Sequence, residues 1–177
     1  MKIAIIGYSG AGKSTLAEKL SNYYSIPKLH MDTLQFQPGW QDSDREWMLG
    51  ELKNFLTKHE AWVIDGNYSW CYYEERMLEA DQIIFLNFSP WTCLFRAFKR
   101  YLTYRGKVRE SMAAGCPERF DWDFIRWILW DGRTKNAKVR YQRVQETYPE
   151  KVIVLRSQKD MDYFLENLAH NKKNQRV

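Results

Sequence analysis

Apolar positions along this chain fall into two patterns that alternate. Short runs are apolar almost throughout: Ile3-Ala4-Ile5-Ile6, Trp62-Val63-Ile64, Gln82-Ile83-Ile84-Phe85-Leu86-Asn87 and Lys151-Val152-Ile153-Val154-Leu155, with Pro27 to His30 as a shorter fifth candidate. Strands that are apolar at every position are covered on both faces, as in a parallel sheet under helices. Between these runs the apolar residues recur at helical spacing. Leu16, Ala17 and Leu20 mark one helix up to Tyr24, and Trp47, Leu52, Phe55 and Leu56 mark another behind the capping-box phrase Ser43-Asp44-Arg45-Glu46. A further helix is expected around Glu74 to Ala80. Ser89-Pro90 is a cap and first-turn pair that opens a helix with Trp91, Leu94, Phe95, Phe98 and Leu102 as its buried face. Asp121 or Asp123 opens a long helix toward Tyr148 with Gly132 as a point of interruption, and Met161, Phe164, Leu165 and Leu168 line a last one.

Strands alternating with helices predict an α/β fold with a parallel sheet between helical layers, where ligands gather beyond the C-terminal ends of the strands. Two stretches lack periodicity. Thr33 to Asp42 carries Phe36, Pro38, Gly39 and Trp40, too aromatic for a spacer, and Tyr104 to Asp121 carries Gly106, Gly115 and Pro117 and is expected to be a mobile loop. A chain of 177 residues is most simply one domain. It is expected over 1–169, with an acceptor region at about 32–60, a lid at about 104–122 and a flexible polar tail at 170–177.

The first apolar run leads into Gly7-Tyr-Ser-Gly-Ala-Gly-Lys-Ser-Thr15, which fits the P-loop pattern with a strand before it and a helix after it. Its glycines let backbone N–H groups curl around an anion at a helix N-terminus. Gly7, Ser9, Gly10, Ala11, Gly12, Lys13, Ser14 and Thr15 are therefore the candidate site for ATP, with Lys13 reaching the β- and γ-phosphates and the Ser14 hydroxyl on Mg²⁺. Asp65 closes the third strand and is the candidate partner of Ser14 in organising the metal, or else a cap on the next turn. Asp32 closes the second strand, where a carboxylate accepts a proton from an acceptor hydroxyl or holds a substrate group, unless it only shapes the turn before Thr33.

Charge sharpens the picture. The net formal charge is +5, but Arg96 to Arg143 holds 13 Lys and Arg against 5 Asp and Glu. Arg96 and Arg100 lie one helical turn apart. Arg126, Arg133 and Arg140 recur every seven residues and form a stripe if the helix bearing them is continuous. These residues, with Arg105, Lys107, Arg109 and Arg119 in the intervening loop, read as a lid whose arginines, Arg96, Arg100 and Arg133 among them, stabilise a transferring phosphoryl. A solvated helix face is the plain alternative. Cys71, Cys93 and Cys116 form no metal or disulfide pattern. No apolar run is long enough for a membrane span, so a cytoplasmic, soluble protein is expected.

Several phrases resemble known sequences. The P-loop, Ile64-Asp65-Gly66 and Arg96-x-x-x-Arg100 are similar to adenylate-kinase-type phosphotransferases. Leu29-His30-Met31-Asp32, Pro38-Gly39-Trp40, Val63 to Tyr68, Tyr104 to Arg109 and Gly115 to Phe120 resemble the bacterial topology modulation (FlaR-type) proteins. The resemblance implies a three-layer P-loop kinase fold with five parallel strands in the order 2-3-1-4-5. It also implies an acceptor region between the second and third strands, Arg76 near an anionic group of the acceptor, and the turn after Leu155 at the adenine. Asn87 departs from it, since closer relatives carry Asp there. The function so implied is an ATP- and Mg²⁺-dependent phosphotransferase in which Asp32 and Trp40 address a small acceptor, a nucleotide being one candidate. A nucleotide-binding regulator acting on DNA is the alternative, although no nucleic-acid-binding phrase accompanies the basic residues. The sequence leaves the oligomeric state open.

Overall fold

The computed structural model describes residues 1–174, with side chains through His170. In chain order the elements are β1 (Lys2–Gly7), α1 (Lys13–Tyr24), β2 (Lys28–His30), α2 (Met31–Gln35), β3 (Phe36–Gln37), β4 (Gln41–Asp42), α3 (Arg45–Lys58) and β5 (Trp62–Asp65). There follow α4 (Tyr73–Glu79), β6 (Gln82–Leu86), α5 (Pro90–Tyr104), α6 (Trp122–Leu129), α7 (Lys135–Thr147), β7 (Val152–Leu155) and α8 (Gln158–Asn174). Five strands form one parallel sheet in the order β2-β5-β1-β6-β7. Counted along the chain within that sheet, the order is 2-3-1-4-5. The strand core is closed on both faces: Ile3 to Ile6, Trp62 to Ile64 and Ile83 to Leu86 are all buried.

Local chemistry explains most boundaries. Asp44, rather than Ser43, caps α3 by accepting from the Trp47 amide at 2.9 Å. Ser89 caps α5 with Pro90 in its first turn. The aromatic stretch after Asp32 is not a plain loop. It forms α2 and a hairpin of two two-residue strands, β3 and β4, turned at Pro38-Gly39 with Gly39 at φ 79°.

Three expectations need correction. The long helix toward Tyr148 is broken at Gly132, where a 3₁₀ turn over Asp131–Arg133 separates α6 from α7, so Arg126, Arg133 and Arg140 form no single stripe. In that turn a Cβ on Gly132 would lie 2.9 Å from the Trp127 carbonyl oxygen, so a larger residue would crowd the break itself. The buried face of α5 is Cys93 and Ala97, whereas Trp91, Phe95, Phe98 and Leu102 face outward. Finally, α8 continues to Asn174, into the stretch expected as a tail, and 175–177 lie outside the described residues. Among the described residues, no helix is long and apolar enough to cross a membrane.

Candidate active site

The P-loop sits at the C-terminal end of the central strand, and β1 is flanked by β5 on one side and β6 on the other. Gly10 takes φ 80°, and a Cβ there would meet the Cys93 carbonyl oxygen at 2.5 Å, so only glycine lets the loop pass the start of α5. Asn67, two residues beyond the end of β5, clamps the loop's origin: its Oδ1 accepts from the Gly7 amide at 3.0 Å and its Nδ2 donates to the Gly7 carbonyl at 2.6 Å. The register of β1 against β5, Ile5 opposite Asp65, sets this reach.

Asp65 and Ser14 meet at the mouth of the loop. Ser14 Oγ donates to Asp65 Oδ2 at 2.8 Å, and the other carboxylate oxygen, Oδ1, lies 2.6 Å from His30 Nδ1. An ionised carboxylate only accepts, so His30 Nδ1 carries the proton of that bond. The His30 and Asp65 side chains are both buried, and the register places them opposite one another on β2 and β5. The imidazole thus aims the carboxylate at Ser14. Sequence reading did not single out His30, although it stands beside Asp32 in Leu29-His30-Met31-Asp32.

Lys13 Nζ donates to the Tyr8 carbonyl at 3.2 Å. Burial pulls its pKa below the ordinary lysine value, while the carboxylates of Asp32 and Asp65 pull the other way. Asp32, in the first turn of α2, accepts from the Tyr68 hydroxyl at 2.6 Å. Burial, and then the Asp32 charge, push the Tyr68 phenol far above its usual range, so it stays a donor that orients Asp32. Arg100 lies close enough to Lys13 and Asp32 for its charge to act on both. Two acids, a lysine, an arginine and a hydroxyl thus converge where β1, β2 and β5 end.

Other expected residues stand elsewhere. Arg96 bonds the Ala11 carbonyl of the P-loop and the Gln158 side chain, with its guanidinium 4.5 Å above the Phe88 ring. Arg133 donates to the carbonyls of Ile128 and Phe88, both at 3.0 Å, and its guanidinium lies 3.7 Å from the Tyr8 ring centre. Its contacts brace the flank of the loop. Arg76, expected at the acceptor's anion, is 1% exposed and donates to the carbonyls of Gly66 and Tyr68 at 3.2 Å each. Burial draws its pKa down to about 10. It shapes the Gly66 to Tyr68 turn from behind and does not face a cleft. Asn87 lines a cavity of about 550 Å³ shared with Tyr8 and Tyr141, on the opposite side of β1 from Asp65.

The segment expected as a lid forms no helix or strand of its own, only an isolated bridge between Arg105 and Glu118. It folds down onto the hairpin. Gly39 N donates to the Gly115 carbonyl at 3.1 Å, Cys116 Sγ to the Gln37 carbonyl at 3.1 Å, and Arg119 stacks 4.6 Å over Trp40. Met112, Ala113 and Cys116 bury a small apolar cluster against Phe36 and Trp40. Trp40, expected to address the acceptor, packs against this segment. At the lid's base, buried Glu118 accepts from Arg100 Nε at 2.9 Å and also from Arg109.

Mg²⁺ prefers one or two carboxylates together with phosphate and water oxygens. The Ser14 and Asp65 pair fits that preference at the mouth of the P-loop. Among the described residues, no cluster of three or more metal-binding side chains offers an alternative.

The architecture has solved counterparts. It is similar to a deoxyadenosine kinase from M. mycoides, described with the product dCMP and a flexible dCDP bound, at TM-score 0.55 and 20% identity over 100% of both chains. It is also similar to a gluconokinase from Sinorhizobium meliloti, at TM-score 0.51 and 18% identity over 98% of this chain and 96% of that one. These likenesses establish a P-loop kinase-like fold. No protein-family model matches the chain, and no curated protein sequence matches it.

Proposed function

We propose that this protein is an ATP- and Mg²⁺-dependent phosphotransferase acting on a small acceptor, a P-loop kinase of the kind its sequence phrases resemble. The observation that carries this reading is the convergence of Lys13, Ser14, Asp65, Asp32 and Arg100 at the strand ends. A phosphate cradle, a metal-holding pair and a candidate proton acceptor there share one mouth. Ser14 and Asp65 would hold Mg²⁺, which when bound would supply positive charge to offset the charge on the transferring phosphoryl.

The chain's own residues divide the remaining work. The P-loop amides and Lys13 bind the β- and γ-phosphates, and Lys13 exchanges the Tyr8 carbonyl for them. Ser14 and Asp65 hold the metal, with His30 fixing the carboxylate. Asp32, aimed by Tyr68, accepts the proton of the acceptor hydroxyl. Arg100 faces the developing charge, and the lid over β3 and β4 keeps water from competing for the phosphoryl. The acceptor lies between Asp32 and the underside of the lid. The named acceptors of the two fold neighbours, a nucleoside and a sugar acid, define the first classes to try.

A coupled ADP assay across nucleosides, nucleotides, sugars and sugar acids tests the proposal. At least one acceptor is expected to raise ADP production above the acceptor-free rate, and Lys13→Ala abolishes the increase. ATP turnover indifferent to every acceptor class, or an acceptor effect that survives Lys13→Ala, overturns it.

A further inference from the structure

The outward face of α5 is apolar and, among the described residues, largely uncovered, with Phe120 packed against Phe98 at one edge. Trp91, Phe95, Phe98 and Leu102 are 70%, 69%, 42% and 58% exposed. Their spacing is four, three and four residues, which keeps them within an arc of about 60° at 100° per residue. That is the spacing of a coiled-coil seam, in which two helices interlock knobs into holes. The opposite face is occupied by Cys93 and Ala97, packed into the core, while Arg96 and Arg100 turn toward the P-loop and Glu118. With about 200 Å² for each large side chain, the stripe exposes on the order of 500 Å². That is near the upper end for the largest apolar patch of a monomer and more than half of the roughly 800 Å² per partner in a stable interface. Trp122, two residues beyond the Phe120 that packs 5.2 Å from Phe98, is 69% exposed as well.

We propose that a second copy of this chain covers the stripe, with the two α5 helices packed antiparallel about a two-fold axis between Phe95 and Phe98. In that register Phe95 of each copy meets Phe98 of the other, and Trp91 meets the smaller Leu102, so large and small side chains alternate along the seam. A two-fold contact uses the same patch twice, and this stripe is self-complementary in that sense. The helix macrodipoles then run in opposition. A lipid surface suits the stripe less well. Interfacial helices carry exposed cations beside their apolar face, whereas Lys99 is the single exposed charge on α5. The dimer is independent of the phosphotransferase reading. It does have a mechanical consequence for the site, because it clamps from outside the helix whose inner face carries Arg96 and Arg100.

Sedimentation equilibrium with complementary variants tests the proposal. The wild-type chain is expected to be a dimer. Phe95→Asp and Phe98→Lys are each expected to be folded monomers by circular dichroism, because the substituted side chains are exposed. Mixed in equal amounts they re-form a dimer, since the new Asp faces the new Lys at one contact and Phe faces Phe at the other. Trp91→Ser/Leu102→Ser, which removes apolar area without adding charge, weakens the dimer at least about tenfold. A wild-type chain that stays monomeric at its highest soluble concentration overturns the proposal, as does a dimer indifferent to all these changes. A mixture that fails to re-associate overturns the antiparallel register. A monomer that binds phosphatidylserine vesicles, and loses that binding in Phe95→Asp, assigns the stripe to lipid and overturns it as well.

Discussion

At the scale of single residues the site depends on how a few side chains are aimed. Asp65 holds its bond to Ser14 because His30 fixes the other carboxylate oxygen. Groups that orient a metal-holding side chain are typically worth about 10- to 100-fold in metal affinity. His30→Ala should therefore raise the Mg²⁺ concentration needed for half-maximal activity by about that factor, with little change at saturating metal; a magnesium titration of both proteins measures it. Lys13 makes a pH-dependent prediction. Burial holds its pKa below the ordinary lysine value, and a bound triphosphate raises it by supplying nearby negative charge. Between those two pKa values binding takes up a proton, so nucleotide affinity falls as pH rises through the alkaline range, by up to about tenfold per unit. Calorimetry in buffers of different ionisation heat should show the uptake in the wild-type protein and not in Lys13→Met. Asp65, Lys13 and Ser14 are legible in the sequence because the P-loop phrase and the strand ends mark them. His30 and Glu118 are not, because their importance comes from partners far away in the chain.

At the scale of elements the segment expected as a lid is anchored at its base by one acid and at its tip by the hairpin. Glu118 is buried beneath two arginines, and removing its charge takes from Arg100 and Arg109 the carboxylate they share, a loss of up to about 3–5 kcal/mol for well-buried pairs, although Arg109 keeps its bond to Ser111 Oγ. Glu118→Gln is expected to free the segment from Arg105 to Arg119, which trypsin should then cut well before the sheet unfolds; a wild-type cleavage pattern would contradict this. Gly115 tests the same docking from its other end. Its φ is 74°, and a Cβ there would lie 2.8 Å from Pro38. Gly115→Ala should loosen the lid from the hairpin while leaving the P-loop geometry unchanged, as hydrogen exchange can resolve. Elements were readable where helical periodicity was sustained, as at α1, or where a cap stood at the start, as at α3. They were misread where pattern alone cannot decide. The 3.5-residue stripe of α5 shows that Trp91, Phe95, Phe98 and Leu102 share a side, but not whether this chain supplies anything to cover it. A seven-residue arginine repeat likewise implies a stripe only while the backbone stays helical, and Gly132 ends that. The two-residue strands β3 and β4 are too short to have a period at all.

At the scale of the whole molecule, the alternation of apolar runs and helical stretches was enough to foresee a parallel sheet covered on both faces, and the strand order follows the one implied by resemblance. A ligand held at the central strand couples to the stability of that entire sheet. ATP with Mg²⁺ at about a hundred times its dissociation constant should add about 2.7 kcal/mol, which for a chain of this size raises Tm by about 5–10 °C, and Lys13→Ala should lose most of the shift. Differential scanning calorimetry reads both. One contact makes the state of the loop visible without any label. The Trp127 indole N–H donates to Ser9 Oγ at 3.0 Å, tying a half-exposed ring of α6 directly to the phosphate cradle. Any rearrangement of that cradle alters the polarity and hydrogen bonding of a chromophore. In a variant whose other tryptophans are replaced by phenylalanine, the emission maximum and lifetime of Trp127 would report nucleotide arrival in real time.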